Sequence, residues 1–316
     1  MLGPAQPPVV KDVRAIQPAL AAEGDRWSSC ALGRDLHLRC WGDGWGPLHV
    51  EPTTSPVASL PAELTVRQFS NVGFLCALLS DESMRCTKRF DMEEQLRFAS
   101  SVHFGSDPAV GVATGLVTCV LRRSGAVKCF GDGVGSDFDV VGMDVDLKGH
   151  RALALAAGSR HACAIVEGER VVCWGDNGKG QLGQGNVLWS GNLPLGDGPV
   201  EVSLGHTARL AGITANDDHS CVWFADGRVK CWGGNDDGQL GLGDLLPRGD
   251  KPGQMGDQLP FVDLGQHAKV TAVDAGPSTT CALFFDHRVK CWGWGYTPAN
   301  AEGRTPTGEQ VSAMAL

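Results

Sequence analysis

The chain has 316 residues, of which 27 are basic and 36 acidic, giving a formal charge of −9, and it carries 43 glycines. An acidic balance argues against a broad phosphate-binding surface and so against a nucleic-acid partner. No apolar run reaches the roughly 18 residues that a membrane-crossing helix needs, so no membrane span is expected. Abundant glycine with few helix-favouring stretches suits many short strands joined by tight turns.

In chain order, residues 1–11 are proline-rich and lack the apolar core of a secretion signal. The elements that follow are organised by cysteine. All twelve fall into pairs ten positions apart: Cys30/Cys40, Cys76/Cys86, Cys119/Cys129, Cys163/Cys173, Cys221/Cys231 and Cys281/Cys291. Successive first cysteines are separated by 43 to 60 residues, a length that fits one four-stranded sheet per pair. Small apolar stretches precede most pairs, as at Ala19 to Ala22, Val110 to Ala113, Leu153 to Gly158, Leu210 to Thr214 and Val270 to Gly276. Their small side chains suit strands that line a crowded axis, as in a β-propeller.

Within a pair, two β-prone runs flank a polar centre, which is a hairpin signal. A three-residue loop at Ala225, Asp226 and Gly227 sets Phe224 opposite Arg228, Trp223 opposite Val229 and Cys221 opposite Cys231, with Gly227 free to take positive φ. Alternation then makes each cysteine couple a non-hydrogen-bonded pair with Cα atoms ~4.5 Å apart, which permits a disulfide. Only Gly125 and Gly227 supply glycine at the third loop position, so the other four turns need a different chemistry. Zinc ligands are normally spaced two to four residues apart, so no metal site is expected. Six local disulfides call for an oxidising compartment, and an export signal is expected to have been removed ahead of Met1.

Two units continue alike: Trp174-Gly-Asp-Asn177-Gly-Lys179-Gly-Gln181-Leu-Gly and Trp232-Gly-Gly-Asn235-Asp-Asp-Gly-Gln239-Leu-Gly. With the preceding His161 and His219 two residues before a cysteine, this pattern resembles the repeat of the regulator of chromosome condensation family of β-propellers. The match is specific in units four and five, partial in unit six and weak in units one to three, where Cys86-Thr-Lys-Arg and Cys129-Phe-Gly-Asp depart from Trp-Gly. The resemblance implies an all-β propeller whose loop faces bind proteins. Residues 1–316 are expected to form a single domain of six blades, each with an intra-hairpin disulfide. Residues 1–18 and 295–316 would contribute to ring closure, either completing a blade or building a seventh.

The remaining motifs read as structure. The segments 175–180 and 234–238 lack the spaced carboxylates of a calcium loop and the Lys-Ser/Thr of a phosphate loop, so they read as turns. His161 and His219 recur at one repeat position, which marks a hydrogen-bonding scaffold. Ser29, Ser220 and Ser278 lie in no nucleophile elbow. Arg248-Gly249-Asp250 is too short a motif to carry weight. Trp41, Trp174, Trp232 and Trp292 are locked to the repeat and read as packing. Trp45, Trp189 and Trp294 follow a Trp-Gly outside the repeat, and they are the candidate binding residues of one face, aromatic as interface anchors tend to be. No catalytic residue and no cofactor is assigned. The expectation is a secreted or periplasmic binding module whose partner is another protein, with a polysaccharide as the other ligand class. The alternative is a hydrolase or lyase with carboxylates gathered at the axis or one mouth of the propeller, with Asp217-Asp218 and Asp236-Asp237 as the acidic clusters.

Overall fold

The computed structural model describes residues 13–20, 27–33, 38–41, 65–70, 76–86, 102–115, 118–130, 142–188, 198–206, 208–265, 268–286 and 288–294. These residues form six antiparallel sheets, one for each cysteine pair. The first holds β1 (Val13–Leu20), β2 (Trp27–Gly33) and β3 (Leu38–Trp41), and the second β4 (Val66–Ser70), β5 (Cys76–Leu79) and β6 (Met84–Cys86). The third holds β7 (Ala109–Thr114), β8 (Thr118–Arg122), β9 (Val127–Phe130) and β10 (Met143–Asp144). The fourth holds β11 (Ala152–Ala157), β12 (His161–Val166), β13 (Arg170–Gly175) and β14 (Val200–Val202). The fifth holds β15 (Leu210–Asn216), β16 (His219–Phe224) and β17 (Val229–Gly233). The sixth holds β18 (Val270–Ala275), β19 (Thr279–Phe284) and β20 (Val289–Gly293).

The first strands of neighbouring sheets meet: β4 lies beside β7, β7 beside β11, β11 beside β15, and β15 beside β18. Because β18 also approaches β1, and β2 approaches β4, the six sheets close into a ring with their first strands innermost. The small residues of β7 and β11, Ala-Val-Gly-Val-Ala-Thr and Ala-Leu-Ala-Leu-Ala-Ala, allow this crowding. The fourth strand is where the blades vary. It is a two- or three-residue strand in blades three and four, and in blade two it is a single bridge between Met84 and Val102.

The expected register holds throughout. Cys221 faces Cys231, Trp223 faces Val229, and Phe224 donates its N–H to the Arg228 carbonyl at 3.0 Å. The five bridges from Cys76–Cys86 to Cys281–Cys291 form with Cα atoms 4.0–4.1 Å apart, closer than an unbridged pair would sit. In the first blade Cys30 lies opposite Cys40.

The hairpin turns show what replaces glycine. Gly125 and Gly227 have φ of 89° and 88°, and at the same loop position Glu82 and Glu169 adopt φ of 65° and 59°. Glycine is also needed at Gly227 for space, since a Cβ there would lie 2.8 Å from the Cα of Lys269 in the next blade. The Gly125 and Gly227 carbonyls accept the N–H groups of Ala152 and Val270, which open the next inner strands. In blade four the Glu169 carboxylate takes over that task and accepts the Leu210 N–H at 2.7 Å. A left-handed residue costs roughly 1–2 kcal/mol, which the bond to the neighbouring blade offsets.

The hydrophobic core lies in the seams between blades. Between blades four and five, Cys163 and Cys173 pack with Leu182, Ile213, Val222 and Trp232. Between five and six, Cys221 and Cys231 pack with Leu240, Val273 and Trp292. Each of these disulfides thus shares a seam with the tryptophan of the following blade. Of the segments expected to close the ring, 1–18 and 295–316, residues 13–18 belong to β1 of the first blade, and 1–12 and 295–316 lie outside the described residues.

Candidate interaction faces

Strand polarity gives the ring two unlike faces. One carries the tips of the second-to-third-strand hairpins, here the hairpin face. The other, the loop face, carries the first-to-second-strand turns and the Trp-Gly segments with the loops that follow them.

Seam side chains fix the loop face. His161 Nε2 lies 2.8 Å from Ser220 Oγ, and His219 Nε2 lies 2.9 Å from Thr280 Oγ1, each bond crossing to the next blade. Thr280 donates to the Gln239 carbonyl at 2.8 Å, so its oxygen accepts from His219 Nε2–H and fixes that tautomer. Burial pulls the two imidazoles down to about 4 for His161 and about 3 for His219, so both are neutral. In return, Trp232 and Trp292 donate their indole N–H groups back to the Gln181 and Gln239 carbonyls, both at 2.9 Å. The histidines and these tryptophans are scaffold, as their repeat-locked positions imply.

The glycine-rich loops are turns organised by one buried asparagine each. Asn177 Oδ1 accepts the Leu182 N–H while its amide donates to the Asn186 carbonyl, and Asn235 repeats this with Leu240 and Asp244. The Arg248-Gly249-Asp250 tripeptide is also built into the scaffold. Arg248 is held by Asp244 at 2.7 Å, and the Gly249 carbonyl accepts the Gly185 N–H from blade four. The segment containing it is anchored by buried Lys230, whose Nζ donates to the Leu204 and Gly256 carbonyls.

Several of the acidic candidates gather around Asp218, which feels the charges of Asp217, Asp176 and Asp236. Asp217 accepts a hydrogen bond from Ser159, and Asp236 pairs with Lys179 at 2.7 Å. Asp218 is pushed up to about 6, first by burial and then by repulsion from Asp217 and Asp176. Among the described inner-strand residues the only acid is Asp274, raised to about 7 by burial. No second carboxylate joins it from the described inner strands, so they supply no acid–base pair at the axis. No group of three or more His, Cys, Asp or Glu side chains among the described residues is placed to hold a metal.

Of the three candidate tryptophans, Trp294 stands on the loop face, 54% exposed. Trp45 and Trp189 lie outside the described residues. Sequence reasoning passed over four aliphatic residues in the loops that follow a Trp-Gly: Val187, Leu188, Leu245 and Leu246, which are 50%, 76%, 60% and 62% exposed. They occupy equivalent positions in blades four and five, hence the same face. The signal was present as two aliphatic residues following Gly-Gln-Gly-Asn186 and Gly-Leu-Gly-Asp244, where a surface loop would be polar.

Among the described residues no helix is long and apolar enough to cross a membrane. The profile of the regulator of chromosome condensation (RCC1) repeat matches residues 153–181, 211–239 and 226–283. The chain is 29% identical over 196 residues to the ultraviolet-B receptor UVR8 of Arabidopsis thaliana, covering 60% of this chain and 40% of the receptor. It is 28% identical over 167 residues to the probable E3 ubiquitin-protein ligase HERC6 of Homo sapiens, covering 53% of this chain and 15% of the ligase. The chain therefore spans less than half the length of these relatives. Among solved structures, Prp20p from Saccharomyces cerevisiae superposes with a TM-score of 0.63 at 20% identity, over 85% of this chain and 70% of that one. The entire ectodomain of the Physcomitrella patens receptor kinase CR4 superposes with a TM-score of 0.53 at 23% identity, over 91% and 66%. Repeat profile and fold agree: the chain carries the regulator of chromosome condensation repeat between residues 153 and 283 and takes the β-propeller fold of solved proteins of that kind.

Proposed function

We propose that this chain is a secreted or periplasmic protein-binding module that engages its partner through the loop face. The observation that carries the reading is the row of exposed apolar side chains at repeat-equivalent positions, Val187 and Leu188 on one blade and Leu245 and Leu246 on the next, with Trp294 on the blade after. Contiguous exposed apolar side chains mark interaction surfaces, and aromatic residues serve as their anchors. Protein partners are named for one relative of the same fold, since Prp20p is described by its binding to Gsp1p and histones. Support for the compartment comes from the five described disulfides, with no free cysteine among the described residues, because such bridges persist where the environment is oxidising. A neighbour of the same fold is named as a receptor kinase ectodomain, which supports this reading.

The test places a photo-crosslinking residue at position 188 or 246, and for comparison at position 285 on the hairpin face, in protein expressed in its own cell. A protein adduct from the loop-face positions, recovered from the extracytoplasmic fraction, is expected. An adduct from position 285 alone, or thiols that remain free in the cytoplasm, would overturn the reading.

A further inference from the structure

Every inner strand carries one residue more than its partner, at the same place in each blade. The register shifts between Val13 and Ala15, Val66 and Gln68, Ala109 and Gly111, Ala152 and Ala154, Leu210 and Gly212, and Val270 and Ala272. The extra residues are Arg14, Arg67, Val110, Leu153, Ala211 and Thr271. A β-bulge re-aims the side chain of its extra residue. In the described blades the residue before the bulge is buried, whereas Arg67, Val110, Leu153, Ala211 and Thr271 are exposed. The free edge of each inner strand borders the axis, so these positions ring the axial opening on the hairpin face.

The ring is chemically divided. From blade two onward it carries Arg67, then Val110 and Leu153 at 46% and 60% exposure, then Ala211 and Thr271. Most arginines of the hairpin face lie beside a carboxylate: Arg123 by Glu82, Arg151 by Glu167, Arg209 by Glu169, Arg228 by Asp226, and Arg288 by Asp286. Arg67 has no hydrogen bond or ion pair among the described residues. A guanidinium without a partner among the described residues thus shares the ring with exposed aliphatic side chains on the next two blades. Neither satisfies the other.

We propose that this ring is a second binding site, distinct from the loop face, for an extended partner segment that carries a carboxylate beside an aliphatic or aromatic side chain. A guanidinium fork matches a carboxylate with two parallel hydrogen bonds. Val110 and Leu153 offer the adjoining apolar contact, and the small Ala211 and Thr271 leave room for the segment to cross the opening.

The experiment selects a random phage-displayed peptide library on the intact, oxidised protein, and measures the selected peptides against variants of unchanged melting temperature. The expected result is enrichment of Asp or Glu next to a Leu, Ile, Val or aromatic residue. Affinity for these peptides should fall at least about ten-fold in Arg67→Gln and in Leu153→Asp. It should be unchanged in the loop-face variant Leu188→Asp/Leu246→Asp, which separates this site from the one proposed above. Enriched peptides without an acid, enrichment that only phosphorylated peptides reproduce, binding that survives Arg67→Gln, or no enrichment at all would each overturn the proposal.

Discussion

The seams on either side of blade five and the seam between blades two and three solve one packing problem with different chemistry. Around blade five, a histidine crosses forward to a hydroxyl and an indole crosses back to a carbonyl. Between blades two and three, Phe130 takes the tryptophan position, and the polar link moves to the inner strands, where Ser70 and Thr114 hydroxyls meet at 2.9 Å. Phenylalanine has no N–H to place, so no backbone carbonyl has to be held for it. The Gln-Leu-Gly loop of the preceding blade, which would present that carbonyl, is then no longer required, and its motif is eroded in unit two. Motif loss in a repeat protein can therefore follow from one side chain rather than from relaxed packing.

The largest expected effect breaks this comparison at its strong end. Trp232→Ala should cost ~3–5 kcal/mol, because a fully buried indole leaves a cavity and the Gln181 carbonyl loses its donor. Urea unfolding measures it, and a loss below that of Phe130→Ala would mean the indole is not what holds the seam. Next in size are the disulfides. Replacing Cys221 and Cys231, or Cys76 and Cys86, by Ala should cost at most ~3 kcal/mol in either blade, since both close loops of the same length. A clear inequality in denaturant midpoints would place the effect in seam packing instead of in the unfolded chain.

Acid titration sharpens the contrast further. His161 and His219 have folded pKa values lowered to about 4 and about 3, so their contribution is present above the unfolded value of 6.5 and fades as pH falls. Asp218 and Asp274 are raised from 3.8 to about 6 and about 7, so theirs is present below 3.8 and is lost as pH rises. Near pH 5 the two pairs oppose each other, and stability should be nearly flat. Asp274→Asn removes one opposing proton, and stability should then fall by about 1.4 kcal/mol per unit of acidification around pH 5. A variant as flat as the parent would show that the histidines are not buried neutral.

The smallest effect concerns the turns. Glu82→Gly should stabilise by up to about 1 kcal/mol, since it relieves a left-handed residue and gives up only an exposed ion pair to Arg123. Glu169→Gly relieves the same strain but orphans the Leu210 N–H, and it should be neutral or destabilising in thermal melts.

The hairpins were legible because a two-residue period leaves no freedom once two cysteines must meet, and the loop at Ala225, Asp226 and Gly227 followed from that count. The scaffold histidines and repeat-locked tryptophans were legible from recurrence. The glutamates at positive φ were not, because a residue in a disfavoured conformation is held there by an N–H of another blade, far away in the chain. The bulges were invisible for a different reason. One extra residue in Val66-Arg67-Gln68 leaves the apolar pattern intact and shows only when the partner strand is counted beside it. At the loop face, weight given to aromatic residues drew attention to Trp45, Trp189 and Trp294 and away from the aliphatic pairs.

The histidine and indole bonds across the two seams of blade five run the same way round. Blade five offers a histidine on one side and an acceptor carbonyl to the tryptophan arriving there, while its other side presents the hydroxyl and the indole. The interface is heterologous, joined head to tail, and such an interface makes a filament unless rotation closes it. A blade of this kind is complete on neither side by itself and compatible on both sides with a copy of itself. Duplication of a unit such as blade five would thus add a member whose two surfaces are already matched to its neighbours.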